Sequence, residues 1–350
     1  MLTKCRNGQQ GVLMEAFLYK PLKGNRVRCD LCAHHCVVKD GEIGICGVRE
    51  NRSGRLYSTV YGKLVAANID PIEKKPLFHL MPGSRSFSIA TIGCNLKCRF
   101  CQNADIAQVS IGQQGVRNGT EFSPEQIVAA AVKENCASIA YTYTEPTVFF
   151  EFAYHTAKLA TEKGIKNVFV TNGFMSADAL EMIKPYLTAA NVDLKAFTDD
   201  FYRDYCGARI APVKETLKQM KAFGILVEVT TLVIPGLNDG KTELKNIADF
   251  IAGTLGDDTP WHVSRFHPTH KLTHQPPTPV DTLISARKIG INAGLKYVYT
   301  GNIPGHGGED TICHECGKPI IERSGFLVTK TAVKRGKCQF CGEPIAGIWM

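Results

Sequence analysis

A chain of 350 residues, 44% hydrophobic and 21% charged, has length for one large domain or two modest ones and is too apolar for disorder. No run of about twenty uncharged apolar residues offers a membrane span, and Lys4 and Arg6 lack the apolar stretch of a secretory leader behind them, so the chain reads as cytoplasmic. The formal charge of +8 hints at nucleic acid, yet fourteen cysteines without an export signal point to metal ligands rather than disulfides. Two four-thiolate sites and one three-thiolate cluster would bring +8 to about +3, which leaves a basic-surface argument weak.

The first segment, residues 1–80, carries Cys29-x2-Cys32-x3-Cys36-x9-Cys46. Four thiolates at this spacing suit zinc or a second, auxiliary [4Fe–4S] cluster. His34 and His35 are candidate extra ligands, against the commoner role of solvated loop histidines.

Residues 81–305 alternate in a way that specifies a fold class. β-rich runs read at 88–91, 138–143, 167–171, 191–195, 226–233, 262–266 and 297–300, with helical stretches between most of them. One helix opens on Ser123-Pro124-Glu125-Gln126, a capping box with proline at the first helical position. Others cover about 149–163, 177–187, 212–223, 241–255 and 280–293, and Gly164, Gly224, Gly256 and Gly294 stop four of them. Such repetition predicts an α/β fold of parallel strands with right-handed crossovers. An incomplete (β/α)6-type TIM barrel with small Cys-rich modules at both ends is expected; a doubly wound open sheet is the rival. Polar residues gather just past the strand runs, where either fold places its chemistry: the cysteines of 94–101, Glu145, Thr171 and Asn172, Asp193 and Lys195, Asn238 and Asp239, His267, and Asn302.

Residues 306–350 contain a repeat. Cys313-His314-Glu315-Cys316-Gly317-Lys318-Pro319-Ile320 returns as Cys338-Gln339-Phe340-Cys341-Gly342-Glu343-Pro344-Ile345. Two such knuckles are the form of a zinc ribbon, each tight turn presenting two thiolates of a tetrahedron; a rubredoxin-like iron is the alternative. Lys330, Lys334, Arg335 and Lys337 read as a solvated face. Cys5, Cys136 and Cys206 stand outside every set and read as small buried residues.

The loop Gly93-Cys94-Asn95-Leu96-Lys97-Cys98-Arg99-Phe100-Cys101 spaces its thiolates C-x3-C-x2-C. A structural zinc site closes on four ligands, whereas a cluster held by three leaves one iron open to an outside ligand. A [4Fe–4S] cluster is therefore expected at Cys94, Cys98 and Cys101. A zinc site completed from elsewhere, for instance by His79, is the alternative.

This signature, with aromatic Phe100 before the third cysteine, resembles that of radical S-adenosylmethionine (SAM) enzymes. Longer stretches are similar to the AmmeMemoRadiSam-system branch, itself like pyruvate formate-lyase activating enzymes. They are Asp70-Pro71-Ile72-Glu73-Lys74-Lys75-Pro76-Leu77-Phe78-His79, Tyr141-Thr142-Tyr143-Thr144-Glu145-Pro146-Thr147, Val192-Asp193-Leu194-Lys195 and Trp261-His262-Val263-Ser264-Arg265-Phe266-His267-Pro268. The resemblance runs from Cys29 to Trp349. It implies that SAM chelates the open iron and is cleaved by one electron to methionine and a 5′-deoxyadenosyl radical, which takes hydrogen from a substrate.

The resemblance also implies roles for single residues. Glu145 would meet the SAM ammonium, and Thr171 and Asn172 would lie by its methionyl carboxylate. Lys195 would offer that carboxylate a cation, oriented by Asp193. His267 would lie near the ribose or adenine, and Phe100 would pack on adenine or fill core. Tyr143 and Thr144 stand where activating enzymes have two glycines, Val170 where they often have an acid, and Ala33 where the branch has proline. Implied partners are an electron donor such as flavodoxin or ferredoxin and two companion proteins of the AmmeMemoRadiSam system, with no membrane. Two other functions stay open: an activase that makes a glycyl radical on a partner enzyme, and a zinc-ribbon binding module without catalysis.

Overall fold

The computed structural model describes residues 13–109, 119–303, 305 and 307–349; Cys5 lies outside them. At its centre is an eight-stranded sheet. Its strands are β1 (Ala66–Pro71), β2 (Arg85–Ala90), β3 (Ser138–Tyr141), β4 (Lys166–Thr171), β5 (Ala189–Asp193), β6 (Leu226–Val233), β7 (Trp261–Arg265) and β8 (Val298–Gly301). Strands β2 to β8 lie side by side in chain order, all parallel, and β1 runs antiparallel along the outer edge of β2. The crossovers carry α1 (Pro124–Lys133), α2 (Phe150–Glu162), α3 (Ala177–Ile183), α4 (Ile210–Ala222), α5 (Lys241–Phe250) and α6 (Val280–Asn292). A doubly wound sheet reverses strand order at a switch point. This sheet never does, so the rival falls and the incomplete barrel stands.

Each expected strand run overlaps one of β2 to β8, because parallel strands covered on both faces read as short apolar runs; every residue of β3 is buried. The capping box at α1 forms as the sequence dictates, with Gln126 N donating to Ser123 Oγ at 3.3 Å and Ser123 N donating to Gln126 Oε1 at 2.7 Å. Helix α3 stops at Ile183, short of the expected 187. Pro185 has no N–H to give and crowds the turn before it. Strand β1 is not foreseen, since Ala-Ala-Asn-Ile-Asp-Pro has neither the alternation nor the β-branched residues of a strand.

Side chains two apart along a strand share a face, and the inward face of the barrel is layered. The lower layer is a buried charge network: His262 Nε2 lies 2.6 Å from Glu228 Oε2, and His79 N donates to Glu228 Oε1 at 2.8 Å. Burial opposes the Glu228 charge, but His262 and His79 outweigh it and hold the carboxyl below its usual range. The His79 ring is spent on Ala346 O at 2.6 Å and Tyr299 Oη at 2.7 Å. His79 is therefore fixed at the base of the barrel, away from the three-cysteine loop, and does not complete a metal site there.

The C-terminal ribbon joins the two edges of the sheet. Tyr299 of β8 bonds Thr311 at 2.9 Å. Arg323, in the hairpin Pro319–Ser324 and Leu327–Thr331, donates to Thr311 Oγ1 at 2.8 Å and to Phe78 O, beyond β1, at 2.9 Å.

The N-terminal segment docks on α2 by an ion pair. Arg49 lies 2.9 Å from Glu151, with side chains 3% and 0% exposed, and Glu151 also accepts from Phe17 N at 2.7 Å. Removing one member of such a pair strands a buried charge. Glu151→Ala is expected to lower stability by about 3–5 kcal/mol, read as a fall in the urea midpoint of the metal-loaded protein.

Candidate active site

The three-cysteine loop follows β2 and is pinned from several sides. Lys97 N donates to Cys206 O at 2.7 Å and Arg99 N to Tyr205 O at 2.9 Å, which docks the loop on the turn after β5. Gly93 takes a left-handed φ of 97°, and a Cβ there would sit 2.6 Å from Val48 and 2.9 Å from Cys46 O. Only glycine permits that approach, and it presses the N-terminal cysteine segment against this loop.

The sulfurs receive hydrogen bonds. Leu96 N and Asn172 Nδ2 reach Cys94 Sγ at 3.4 and 3.7 Å. The neighbouring Cys206 thiol and, against burial, the Lys195 ammonium hold Cys98 below the usual thiol value. Cys206 is fully buried, as its sequence context suggests, but it serves the loop and not just the core. Spacing carries no sign of this, because Cys206 is far from Cys98 in the chain.

Glu145 ties β3 to β4. Its Oε1 accepts from Thr147 N at 3.0 Å, Thr147 Oγ1 at 2.6 Å and Thr171 Oγ1 at 2.7 Å, and its Oε2 from Asn172 N at 2.8 Å. Burial pushes this carboxyl up while the four donors pull it down; burial wins. Asn172 spends its amide on Asn95 Oδ1 at 2.8 Å and accepts from Phe174 N at 2.9 Å. Tyr143, where a glycine is usual, keeps the left-handed backbone with φ 62°, and its hydroxyl donates to Asp70.

Lys195 is mostly buried and donates to Asp193 Oδ2 at 2.7 Å. Burial opposes its charge, but Asp193 and the sulfurs of Cys98 and Cys206 hold it well above the usual amine value. Phe100 is 4% exposed, with Lys195 Nζ 5.8 Å from its ring centre. One cavity of about 560 Å³ gathers Cys94, Cys98, Cys101, Phe100, Glu145, Thr171, Asn172, Asp193 and Lys195. His267 is exposed and is not among its lining residues. A larger groove of about 980 Å³ lies on the flank of α1 and α2 and contains no cysteine.

The two four-cysteine sets differ in their spacing. Tetrahedral thiolates about 2.3 Å from zinc stand about 3.8 Å apart. In the ribbon, Cys313 and Cys341 sulfurs are 3.7 Å apart and those of Cys316 and Cys338 are 3.8 Å apart, with all four within 4.8 Å. Among the described residues no other such group draws together so tightly. Cys29, Cys32, Cys36 and Cys46 instead line one small cavity beside Asn95 and Thr147. Burial pushes the Cys46 thiol up to about 11, so a thiolate there needs a cation.

The sequence model of the Radical SAM superfamily matches residues 88–251. A protein of Methanocaldococcus jannaschii described as uncharacterized is 47% identical over 335 residues, 95% of this chain and 99% of its own. The pyruvate formate-lyase-activating enzyme of Clostridium pasteurianum is 23% identical over 165 residues, 45% of this chain and 66% of that enzyme. Among solved structures, Streptococcus suis SuiB bound to precursor peptide SuiA shares the fold with a TM-score of 0.50 at 14% identity, over 67% of this chain and 52% of that one. The class is thus an enzyme of radical chemistry on a partial α/β barrel. The chain belongs to the radical SAM superfamily, whose members use a [4Fe–4S] cluster and SAM.

Replacing Glu145 with Gln would turn one acceptor oxygen into a donor facing N–H or O–H groups. Glu145→Gln is expected to cost about 1.5–3 kcal/mol in chemical unfolding. An unchanged midpoint would mean that the carboxyl is held protonated.

Proposed function

We propose that this chain cleaves SAM reductively at a [4Fe–4S] cluster held by Cys94, Cys98 and Cys101 and draws hydrogen from a substrate in the same cavity. The observation that carries this reading is the meeting of the three cysteines, Glu145 and Lys195 in one cavity at the C-terminal ends of parallel strands. Bound there, the cluster and SAM would supply one-electron cleavage of the C–S bond and the 5′-deoxyadenosyl radical.

The chain's own residues bind and orient. Glu145 Oε2, with one protein donor, keeps a lone pair for the SAM ammonium. Lys195 offers the SAM carboxylate a cation, and Asp193 holds the ammonium in place. Thr171 and Asn172 act mainly through Glu145 and Cys94, because their polar groups are already engaged there. N–H donors to Cys94 draw charge from its sulfur, one of the levers on cluster potential. Phe100 walls the adenine side. His267, exposed, takes no part.

The ribbon cysteines fit zinc by their spacing. The wider N-terminal set, next to the cluster loop, fits a second [4Fe–4S] cluster better than one zinc ion. A flavodoxin or ferredoxin would deliver the electron, and a cytoplasmic setting would keep so many thiols reduced. The AmmeMemoRadiSam companions remain proposed partners. A glycyl-radical activase is the second reading, supported by the similarity to the Clostridium enzyme. Membership of the superfamily argues against a ribbon module without catalysis.

Anaerobic reconstitution with iron, sulfide, SAM and dithionite tests this. It is expected to yield 5′-deoxyadenosine and about eight irons per chain, with one zinc. Cys98→Ala should abolish SAM cleavage and lose about half the iron, whereas Cys36→Ala should lose iron yet keep cleavage. No 5′-deoxyadenosine from the wild type would sink the function. A second zinc in place of the extra iron would sink the second cluster alone.

A further inference from the structure

The motif running from Asp70 to His79 has no part in holding the cluster or SAM, yet it enters the same cavity. Lys74 Nζ donates to Asp70 Oδ1 at 2.8 Å and Lys75 Nζ to Asp70 Oδ2 at 2.7 Å. One carboxylate thus serves two ammonium groups, and one positive charge is left over. Lys75 is the unusual member. Its side chain is 1% exposed, its Nζ lies 4.4 Å from the Tyr143 ring centre, and it lines the cavity. Lysine is almost never buried so fully without full pairing. Asp70 answers only one of its three N–H groups.

Two more residues of the cavity wall each carry a buried polar atom without a partner among the described residues. Asn191, 1% exposed, donates its amide to Pro76 O at 2.8 Å, next to Lys75, but its Oδ1 has no partner. Thr230 Oγ1 has none either. Asn191 lies two residues before Asp193, and Thr230 pairs with Asp193 across β5 and β6. Asn191 is also the direct partner of Glu228, and Thr230 of His262, so both sit at the foot of the cavity, where the Asp193–Lys195 level meets the Glu228–His262 pair. A buried acceptor without a donor destabilises the free protein, which makes sense where a ligand supplies that donor.

We propose that Lys75, Asn191 and Thr230 form the substrate subsite, and that the substrate is a small molecule with an anionic group, carboxylate or phosphate, beside an N–H or O–H donor. The anion sits on Lys75 and shares the surplus charge of the Asp70–Lys74–Lys75 group; the donor reaches Asn191 Oδ1. The inference rests on the radical SAM reading for what fills the rest of the cavity. It argues against a glycine loop of a partner enzyme as substrate, because such a loop brings a neutral backbone to a cationic floor. Burial, opposed by Asp70, leaves Lys75 lowered to about 8, so the ammonium persists at neutral pH.

The test is calorimetric titration of the anaerobic, cluster-loaded protein saturated with SAM. The probes are succinate, inorganic phosphate and neutral succinamide. Succinate or phosphate should bind at least tenfold more tightly than succinamide, and the tighter of the two names the anion. Lys75→Met should erase that preference, while Asp70 keeps Lys74 and Tyr143 as partners. Thr230→Val, which breaks no bond inside the protein, should weaken the anion severalfold. Equal binding of succinamide, or an unchanged preference in Lys75→Met, would overturn the subsite. So would a tenfold loss of SAM affinity in Lys75→Met with anion binding intact, which would give Lys75 to SAM. Failure of the wild type to take up iron or bind SAM would count against the radical SAM reading, and titration of the anions alone would still judge Lys75.

Discussion

Seven parallel strands do not close a barrel, and the seam between β8 and β1 has to be covered. An uncovered sheet edge exposes unpaired backbone groups and opens the interior to water. Here the cover has two parts. Antiparallel β1 shields the flank of β2, and the ribbon reaches from Thr311 beside β8 to Phe78 beyond β1. The ribbon is small, and a four-thiolate site lets a short segment hold its shape without a core of its own. Tyr297 and Tyr299 of the barrel pack with Cys313, Ile320 and Cys338 of the ribbon, so the ribbon is built into the barrel's lower end. Its hairpin tip also brings Phe326 to the cavity wall, which connects the four-cysteine segment with the site where chemistry is expected.

With the seam covered, the interior becomes a stack of buried charges, each answered by a partner. Glu228 is answered by His262 and His79, Asp70 by two lysines, Lys195 by Asp193, and Glu145 by four donors. Unpaired charges at such depth would either cost stability or shed their protons. Asn191 Oδ1 and Thr230 Oγ1 are two of the buried polar atoms without partners among the described residues, and they belong to residues of the cavity wall beside the Glu228–His262 pair. Structure alone gives them no role, whereas a ligand would.

Much of this was legible in the sequence. The strands β2 to β8 announce themselves as apolar runs, and helix ends by capping boxes and glycines. The three cysteines of one loop lie within reach of a single centre by spacing alone. Glu145, Thr171, Asn172, Asp193 and Lys195 follow strand ends, and parallel strands bring their C-terminal ends to one rim. What was not legible depends on distant segments meeting. Cys206 has no motif around it, and only the turn after β5 carries it to Cys98. Lys75 has nothing in its sequence neighbourhood that announces burial, and only the path of the chain between β1 and β2 sets it in the cavity wall. His267 follows a strand like the others, and its loop returns to Arg99 of the three-cysteine loop, but the side chain itself is exposed.

The contact between the two cysteine-bearing loops decides how the N-terminal segment should be understood. Were it a separate module, its sulfurs would have no reason to lie against the cluster loop. Gly93 instead lets Cys46 O approach the backbone just before Cys94, and His34 Nε2 bonds Asn95 O at 2.8 Å, with its ring against Phe174 at 4.8 Å. Asn95 in turn meets Asn172, which donates to Cys94. A chain of short contacts thus runs from the cavity of Cys29, Cys32, Cys36 and Cys46 to a sulfur of the three-cysteine loop. A purely structural ion needs no such path, because it stabilises its own loop wherever that loop is placed. An electron-carrying group does need it, since what it delivers must reach the other centre. The arrangement of these two loops is the one that the second cluster proposed above would require, and it ties the N-terminal segment to the three-cysteine loop whatever ion the segment holds.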